Sequence, residues 1–275
     1  MKQELSLYNV ADAENLLEQI KSFFMSKGII AKKFSFKSSE TKQSADDDFK
    51  VIKQFFIHPD ATAFYLKLNS PDDIDELNMS LEMQIKNLQD KLNNFLRNNS
   101  ELDGDLREKI ETFASSNLMK AKKAIKFGLT KSLKQDSKEC NSISELHEAS
   151  GRRYGEFFQK EILERIVYPI YDGLRQNPAD DVYRWVLQEI NVFLSELGIY
   201  TVNISVGDKY DENSPYVPAE ESRSEKYITT SLEQKDSIKK ILRYAYAFNE
   251  GKVTDNRQID EGEVIVMVYR AEDAE

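Results

Sequence analysis

The feature that most constrains this chain is a long stretch without proline, which extends from Asp72 to Tyr168. Proline removes a backbone donor and collides with the preceding helical turn, so its absence permits long helices. In the first part of the stretch, apolar residues recur at spacings of three and four. They are Ile74, Leu77, Leu81, Ile85, Leu88, Leu92 and Phe95. This repeat predicts an amphipathic helix with a coiled-coil-like apolar seam.

Polar and glycine-containing breaks divide this region into helices. Ser70 and Pro71, followed by two aspartates, are typical of a helix start, and the residues around Asn99 and Gly104 are typical of a break. Three further helices are predicted on the same grounds. They run from about Leu106 to Lys134, from near Ser142 to about Gln176 with a kink at Pro169, and from Asn177 to Gly198.

After Gly198 the apolar period changes to two, which indicates β-strands. The strand candidates are Ile199 to Val206, Tyr227 to Ser231, Ile238 to Phe248 and Glu263 to Arg270. The first 70 residues mix both periods. There we predict a helix over Val10 to Lys27, strands over Ile29 to Phe36 and Ala63 to Leu68, and a polar loop over Ser38 to Asp48.

These patterns together predict an α+β fold in three parts. A small N-terminal α/β module of unknown role occupies residues 1–70. Long helices that form a coiled-coil stalk and bundle occupy residues 71–198, and a small β domain occupies residues 199–275. The low content of glycine and proline, 10 and 6 residues, agrees with long helices rather than a turn-rich β fold.

The charge of the chain limits its partners. The formal net charge is -10, and an acidic protein is poorly suited to phosphate backbones or anionic lipid surfaces. We therefore expect neither nucleic acid nor a membrane as a partner. The chain has one cysteine, Cys140, which excludes an intrachain disulfide, and its N-terminus lacks an apolar signal-peptide core. We expect a cytoplasmic location.

Candidate sites for bond-making chemistry are weak. Cys140 has no base partner in the sequence, His58 and His147 lack paired ligands, and the three aspartates at 46–48 lack a glycine-bearing calcium loop. No phosphate-binding or nucleophile-elbow motif occurs. We therefore expect no enzymatic activity, no metal and no cofactor.

The second helix carries a basic segment. Lysines stand at positions 120, 122, 123, 126, 131 and 134. The segment could bind nucleic acid or lipid, it could form a solvated face, or it could pair with acidic helices such as Asp72 to Asp75. The sequence favours the solvated face and leaves the others open.

One helix and the strands after it contain an ordered series of familiar patterns. The run Val167-Tyr168-Pro169-Ile170-Tyr171-Asp172-Gly173-Leu174-Arg175 resembles the GrpE signature L-P-V-hydrophobic-D-N-L-E, with proline, aspartate and leucine in register. The junction Leu197-Gly198-Ile199 is similar to that family's F/H-G-V/I. The run from Ser237 to Asn249 is similar to its strand T-V-V-E-V-L-Q-K-G-Y-x-L-N. Gly207, Tyr210 and Asp211 resemble the segment G-x-P-F-D-P.

The resemblance spans about residues 142–270, and its implications concern binding rather than catalysis. GrpE proteins are nucleotide exchange factors, co-chaperones that act in protein folding and the stress response. They dimerise through a long helix pair and a four-helix bundle, and their β domain opens the ATPase domain of a DnaK-class chaperone so that ADP leaves. The resemblance thus implies a DnaK-like ATPase as partner and a homodimer.

The expected partner-binding residues lie beside turns of the β domain. They are Tyr210, Asp211, Tyr246, Phe248, Asn249 and Asp260. Aromatic anchors often contribute most of an interface's binding energy. The alternative is that Tyr246 and Phe248 share one face of their strand and fill the core.

Departures from the family pattern leave a second function open. They are Glu212 for a proline, Pro215 for a histidine, Ala245 for a glycine and Asp260 or Glu261 for an arginine. A chain with these changes could be a structural adaptor that keeps the scaffold and lacks exchange activity.

Overall fold

The computed structural model describes residues 57, 61–177, 180–251 and 257–270, and all of them belong to one compact unit. This unit combines long helices with small sheets, which confirms the α+β class. The helix over Val10 to Lys27, the strand over Ile29 to Phe36 and the loop over Ser38 to Asp48 lie outside the described residues. None of the helices described is both long enough and apolar enough to cross a bilayer.

Four long helices precede the strands in the described part of the chain. Helix α1 is Ile74–Asn98 and α4 is Asp181–Glu196. Helices α2 (residues 104–136) and α3 (residues 143–176) each contain regular and wide-turn segments. The segments of α2 are Gly104–Glu111, Thr112–Asn117, Leu118–Ala124, Ile125–Leu129 and Thr130–Asp136. Those of α3 are Ile143–Phe158, Gln159–Val167 and Tyr168–Gln176.

Side-chain caps fix the helix starts where the sequence predicts them. The hydroxyl of Ser142 accepts a bond from the Glu145 amide at 3.2 Å, and the Glu145 carboxylate accepts one from the Asn141 amide at 2.6 Å. Asp180 accepts from the amides of Val182 and Tyr183 at 3.0 and 2.9 Å. These bonds satisfy donors that have no partner within their helices.

The apolar seam of α1 faces other helices of the same chain. Ile74, Leu81, Ile85, Leu88 and Leu92 are buried within a core cluster that continues through α2, α3 and α4 into the strands. The helices and the strands therefore share one core. The coiled-coil character of the stalk and the domain limits at residues 70 and 198 stay predictions.

Helices α2 and α3 are linked by a side-chain amide beneath Pro169. Pro169 cannot donate to the carbonyl of Arg165, which lies four residues earlier. The Asn117 amide of α2 donates to that carbonyl instead, at 2.8 Å. The wide turns of residues 159–167 directly precede the proline, and the helix continues to Gln176. The helix thus continues through Pro169 because wide turns precede the proline and the Asn117 amide supplies the missing donor.

A second amide links α1 and α2 in the same manner. At the end of the wide segment Thr112–Asn117, the Leu118 amide bonds to the Phe113 carbonyl, five residues back. A return to four-residue spacing passes over the next carbonyl, that of Ala114. Gln89 of α1 donates to it at 2.8 Å. Side-chain amides therefore link α1 to α2 and α2 to α3. Each amide donates to a backbone carbonyl that has no backbone donor at or after a wide turn.

The strands are shorter than the sequence patterns predict. They are β1 Ile199–Thr201, β2 Tyr216–Pro218, β3 Ile228–Thr229, β4 Ile238–Arg243, β5 Tyr246–Phe248, β6 Arg257–Asp260, β7 Gly262–Val266 and β8 Val268–Tyr269. One sheet has the order β1-β5-β6 and is antiparallel, a second has the order β2-β7-β4, and β3 pairs with β8 in parallel. The predicted strand from Ile238 to Phe248 is divided because its two halves join different sheets.

The predicted strand over Ala63 to Leu68 is wrong. Residues Phe64–Lys67 form a short 3₁₀ helix in which Phe64 and Tyr65 are both buried. Successive buried residues do not fit the alternation of a strand. The Phe64 ring lies 4.6 Å from that of Tyr154, and the Tyr65 ring lies 5.0 Å from that of Phe248. Aromatic packing on α3 and β5 therefore decides the conformation of this segment.

Gly198 joins the helices to the strands at the position where the sequence predicts a helix end. Its φ is +73°, and an added Cβ would overlap the backbone of Thr62. The amide of Asn249 bonds to the Gly198 carbonyl at 2.7 Å. Only glycine combines this backbone conformation with so close an approach.

We expect Gly198→Ala to lower the unfolding free energy by about 2–4 kcal/mol, because strain at positive φ adds to the clash with Thr62. Gly128→Ala is the matched control, since nothing lies within 4 Å of its added Cβ and its φ is not positive. The control should be neutral or stabilise by up to about 1 kcal/mol. Urea denaturation of both variants measures the difference, and equal effects would contradict this account.

We expect Asn117→Ala to lower the unfolding free energy by about 1–3 kcal/mol, because the Arg165 carbonyl loses its donor. In a Pro169→Ala background, the new backbone N–H can take the place of the Asn117 amide. The same Asn117→Ala change should then cost less, and a double-mutant cycle measures the coupling. Additive effects would show that the two sites are independent.

Candidate functional site

Two of the segments that resemble GrpE meet where α3 packs on the sheet of β2, β7 and β4. The guanidinium carbon of Arg243, in β4, lies 3.9 Å from the ring centroid of Tyr168, in α3. Arg243 also donates to the carbonyl of Glu261 at 3.3 Å, and its Nε is buried without a hydrogen-bond partner among the described residues. A cation stacked on an aromatic face fixes the angle between helix and strand.

An ion pair connects the same helix to β7. Arg175 donates to the Glu263 carboxylate at 2.6 Å and lies 3.7 Å from the Asp172 carboxylate. Burial lowers the pKa of the neighbouring Arg243 guanidinium, and the charge of Arg175 lowers it further, while Glu263 and Asp172 act in the opposite direction. Two arginines and two carboxylates thus form a mixed-charge cluster at the edge of the helix–sheet contact. We call Tyr168, Asp172, Arg175, Arg243 and Glu263 the junction cluster.

Asp260 lies at the end of β6. Its Oδ1 accepts a bond from Gln159 at 3.2 Å, whereas its Oδ2 is buried without a hydrogen-bond partner in the described structure. Burial raises the pKa of Asp260 to about 6, and the charges of Glu164 and Glu261 add to the effect against the hydrogen bonds. A carboxylate that costs stability when charged is a candidate for a functional role.

Tyr246 and Phe248 are buried, which corrects their assignment to an exposed partner-binding surface. Both side chains have no exposed surface, and all three residues of β5 are buried. The Tyr246 hydroxyl lies 3.5 Å from that of Tyr171, and the Phe248 ring lies 6.0 Å from that of Phe158. Strand β5 pairs with β1 and β6 along its edges. The helices and residues 64–65 pack against its faces. The alternative interpretation, that these rings fill the core, fits the structure.

Asn249 is also committed to contacts within the chain. Its carbonyl accepts a bond from the Ala63 amide at 2.6 Å, and its side-chain amide donates to the Ala61 carbonyl at 3.1 Å. Its own amide bonds to Gly198. Asn249 therefore ties residues 61–63 to the junction between α4 and β1.

Asp211 is the most exposed of the expected site residues, and Tyr210, Asn249 and Asp260 are partly accessible. Asp211 is exposed, and its Oδ1 accepts a bond from the Asn213 amide at 2.9 Å. Tyr210 is half-buried, and its amide bonds to the carbonyl of Asp236 at 2.7 Å. Burial raises the pKa of the Tyr210 hydroxyl, and the acidic residues Glu212, Asp211 and Glu261 raise it further.

A groove of about 530 Å³ opens beside Tyr210. The backbone of Asp236, at its edge, has a φ of +58°, an uncommon conformation for a residue other than glycine. The Lys209 ammonium holds the same loop by bonding to the carbonyls of Glu233 and Lys235. Other side chains that line the groove are Arg223, Lys235, Val266 and Val268. The groove thus has a loop that is fixed by Lys209, the ring of Tyr210 along one side and charges of both signs. These features are suited to binding a polypeptide.

The described residues offer little for bond-making chemistry. They contain no group of three or more His, Cys, Asp and Glu side chains that could hold a metal ion. Burial raises the pKa of the Cys140 thiol, with smaller effects from Glu145, Asp136 and Glu139, so the thiolate is disfavoured.

Sequence reasoning missed the members of the junction cluster as site residues. Arg175 stands where the GrpE pattern that this segment resembles has glutamate, and no pattern in the sequence pairs it with an acidic residue. The structure places the partner of Arg175 at Glu263, which only the register of β7 reveals.

Comparisons with protein-family models, with curated proteins and with solved structures found no match to this chain.

We expect Asp260→Asn to stabilise the protein above about pH 6 by about 1 kcal/mol, after discounting for solvent screening. The folded pKa, about 6, exceeds the ordinary value of 3.8, so the folded state binds more protons between these values. Stability contributed by the protonated form is therefore lost as the pH rises through this window. Asp90→Asn, at an exposed position of α1, controls for the loss of a charge.

Urea denaturation across this pH range measures the prediction. The advantage of Asp260→Asn over the parent should grow from about pH 4 to pH 6 and then level off. A constant advantage, or a loss of stability at neutral pH, would contradict the burial of a charged Asp260.

Proposed function

We propose that this protein is a GrpE-like nucleotide exchange factor that binds the ATPase domain of a DnaK-type chaperone and promotes ADP release. One observation supports the proposal most directly. The segments that resemble the family, which are distant in sequence, meet in space: Tyr168 of the proline-containing helix stacks on Arg243 of the strand pattern, and Gly198 lies at the helix–strand junction.

The mechanism is one of differential binding. A protein that accelerates ADP release must bind the open ATPase domain more tightly than the closed one, since equal affinity for both would shift nothing. A hundredfold acceleration corresponds to roughly 2.7 kcal/mol of such preference at the opening transition state. A β region braced against a helix by the junction cluster is stiff enough to favour one arrangement of a partner.

Fewer of the expected contact residues are accessible to a chaperone than the sequence predicts. Tyr246 and Phe248 are internal, so the accessible contact is centred on Tyr210 and Asp211 with the adjoining groove. Asp260 lies at the margin of this region beside Glu261, whose charge acts on Tyr210. We propose that Tyr210 is the aromatic anchor of the interface.

A homodimer is part of the proposal, although exchange does not depend on it. The seam of α1 is covered by other helices of the same chain, so a second copy would have to use outer faces. Met79 and Met83 of α1 are exposed and are available for such a contact. Light scattering separates the dimer from the monomer. A cytoplasmic location also remains part of the proposal.

The test is the rate of ADP release from DnaK-class proteins, followed with a fluorescent nucleotide. The full chain should accelerate release, and the double variant Tyr210→Ser/Asp211→Ser should lose at least about tenfold of the acceleration, or 1.4 kcal/mol. Val192→Ser, at an exposed site on α4, is the control and should keep the acceleration. No acceleration with any partner, including a DnaK-like protein encoded beside this gene, would refute the proposal.

The departures at Glu212, Pro215, Ala245 and Asp260 support a second candidate, a structural adaptor without exchange activity. Of these, Ala245 is fully buried, so its methyl group lies in the core and not on a contact surface. Recovery of a partner that is not an ATPase, together with unchanged ADP release, would favour the adaptor.

A further inference from the structure

The basic segment of α2 forms a charged surface that the proposed function does not use. Residues 112–135 contain six lysines and no acidic residue or arginine. Because the whole chain has a net charge of -10, the other residues sum to -16. This stretch therefore carries a net positive charge in an acidic protein.

The spacing of these residues places an apolar side chain at the centre of the lysines. Lys120, Lys123, Phe127, Lys131 and Lys134 follow at intervals of three, four, four and three, and all five are exposed. Such intervals lie along one face of a helix. Phe127 is 71% exposed, the highest value among the exposed large apolar residues of the described chain. Met119, close by, is 45% exposed.

Most of these lysines have no ion pair among the described residues. Lys134 bonds to Asp75 of α1 at 2.6 Å, so one lysine forms the pairing with the acidic start of that helix that the sequence leaves open. Lys120, Lys123 and Lys131 have no acidic partner among the described residues, and Lys126 lies 5.7 Å from the Phe127 ring. The opposite side of the helix, with Leu118, Ala121, Ile125 and Leu129, is buried. The helix is thus anchored by its apolar side and presents lysines around Phe127.

We propose that this face, defined by Lys120, Lys123, Lys126, Phe127 and Lys131, binds an anionic phospholipid surface. The lysines are attracted to the headgroups, and Phe127 enters the boundary between headgroups and acyl chains. This is peripheral binding by one face of a folded helix, and it is independent of the exchange proposal.

The composition of the face favours lipid over nucleic acid. Arginine supplies the planar, bidentate contacts that phosphate and base recognition uses most, and this segment has none. Lysines act as point charges, which suit the diffuse charge of a membrane surface. An exposed methionine beside the phenylalanine adds apolar surface that suits acyl chains better than a phosphate backbone. Acidic surfaces repel both partners over the screening length of about 8 Å, so among the described helices this face is well placed to approach an anionic surface.

Co-sedimentation of the full chain with vesicles tests the proposal. The protein should bind vesicles of phosphatidylcholine containing phosphatidylserine, should not bind pure phosphatidylcholine, and should dissociate as salt is added. Each lysine near such a surface contributes about fivefold to partitioning. The double variant Lys123→Gln/Phe127→Ser should therefore bind at least about tenfold more weakly.

A matched control is available on other helices. Lys86→Gln/Val192→Ser removes an exposed lysine from α1 and an exposed apolar side chain from α4 and should leave vesicle binding unchanged. In addition, Phe127→Trp should show a blue shift of tryptophan emission with phosphatidylserine vesicles. Absence of binding, an equal loss in the control, or binding to single-stranded or duplex RNA without binding to vesicles would each overturn the proposal.

Discussion

The course of α3 past Pro169 depends on a hydrogen bond between the Asn117 amide and the Arg165 carbonyl. Pro169 would otherwise leave this carbonyl without a donor inside a packed core, where an unsatisfied polar group is costly. The bond lets α3 continue past the proline, so that Tyr168 and Arg175 reach the sheet. The Gln89 amide donates to the Ala114 carbonyl in the same way. Together the two bonds fix the registers of α1, α2 and α3.

The functional proposal depends on the contacts that join a helix to a small sheet. The junction cluster joins α3 to β4 and β7 through a stacked cation and an ion pair, and the residues that face solvent lie beyond it at Tyr210 and Asp211. A helix and a small sheet joined in this way transmit force as one body because packed interiors are stiff. The basic face of α2 lies on a different element and is free for a different partner.

Local rules predicted the helices well because their signals are local. The Ser142 and Asp180 caps and the end at Gly198 follow from side chains within a few residues of each boundary. The failures involve contacts distant in sequence. The 3₁₀ turn at Phe64 is set by rings from α3 and β5, and the internal position of Tyr246 depends on helices more than 70 residues away. For the same reason, no pattern in the sequence could identify Asn117 as the donor for Arg165 or Glu263 as the partner of Arg175.

The contacts of residues 61–65 have a consequence for the order of folding during synthesis. The Tyr65 hydroxyl bonds to Glu250, 185 residues later, and Ala61 accepts from Asn249, 188 residues later. During synthesis, α1 to α4 can pair by neighbouring contacts and can cover Phe64 through Tyr154, whereas the bonds to Asn249 and Glu250 form only once β5 has been made. Until then Tyr65 lacks the Phe248 ring that packs against it. Closure of the core around residues 61–65 therefore follows the pairing of the helices, and the uncovered apolar surface is open to aggregation in the interval.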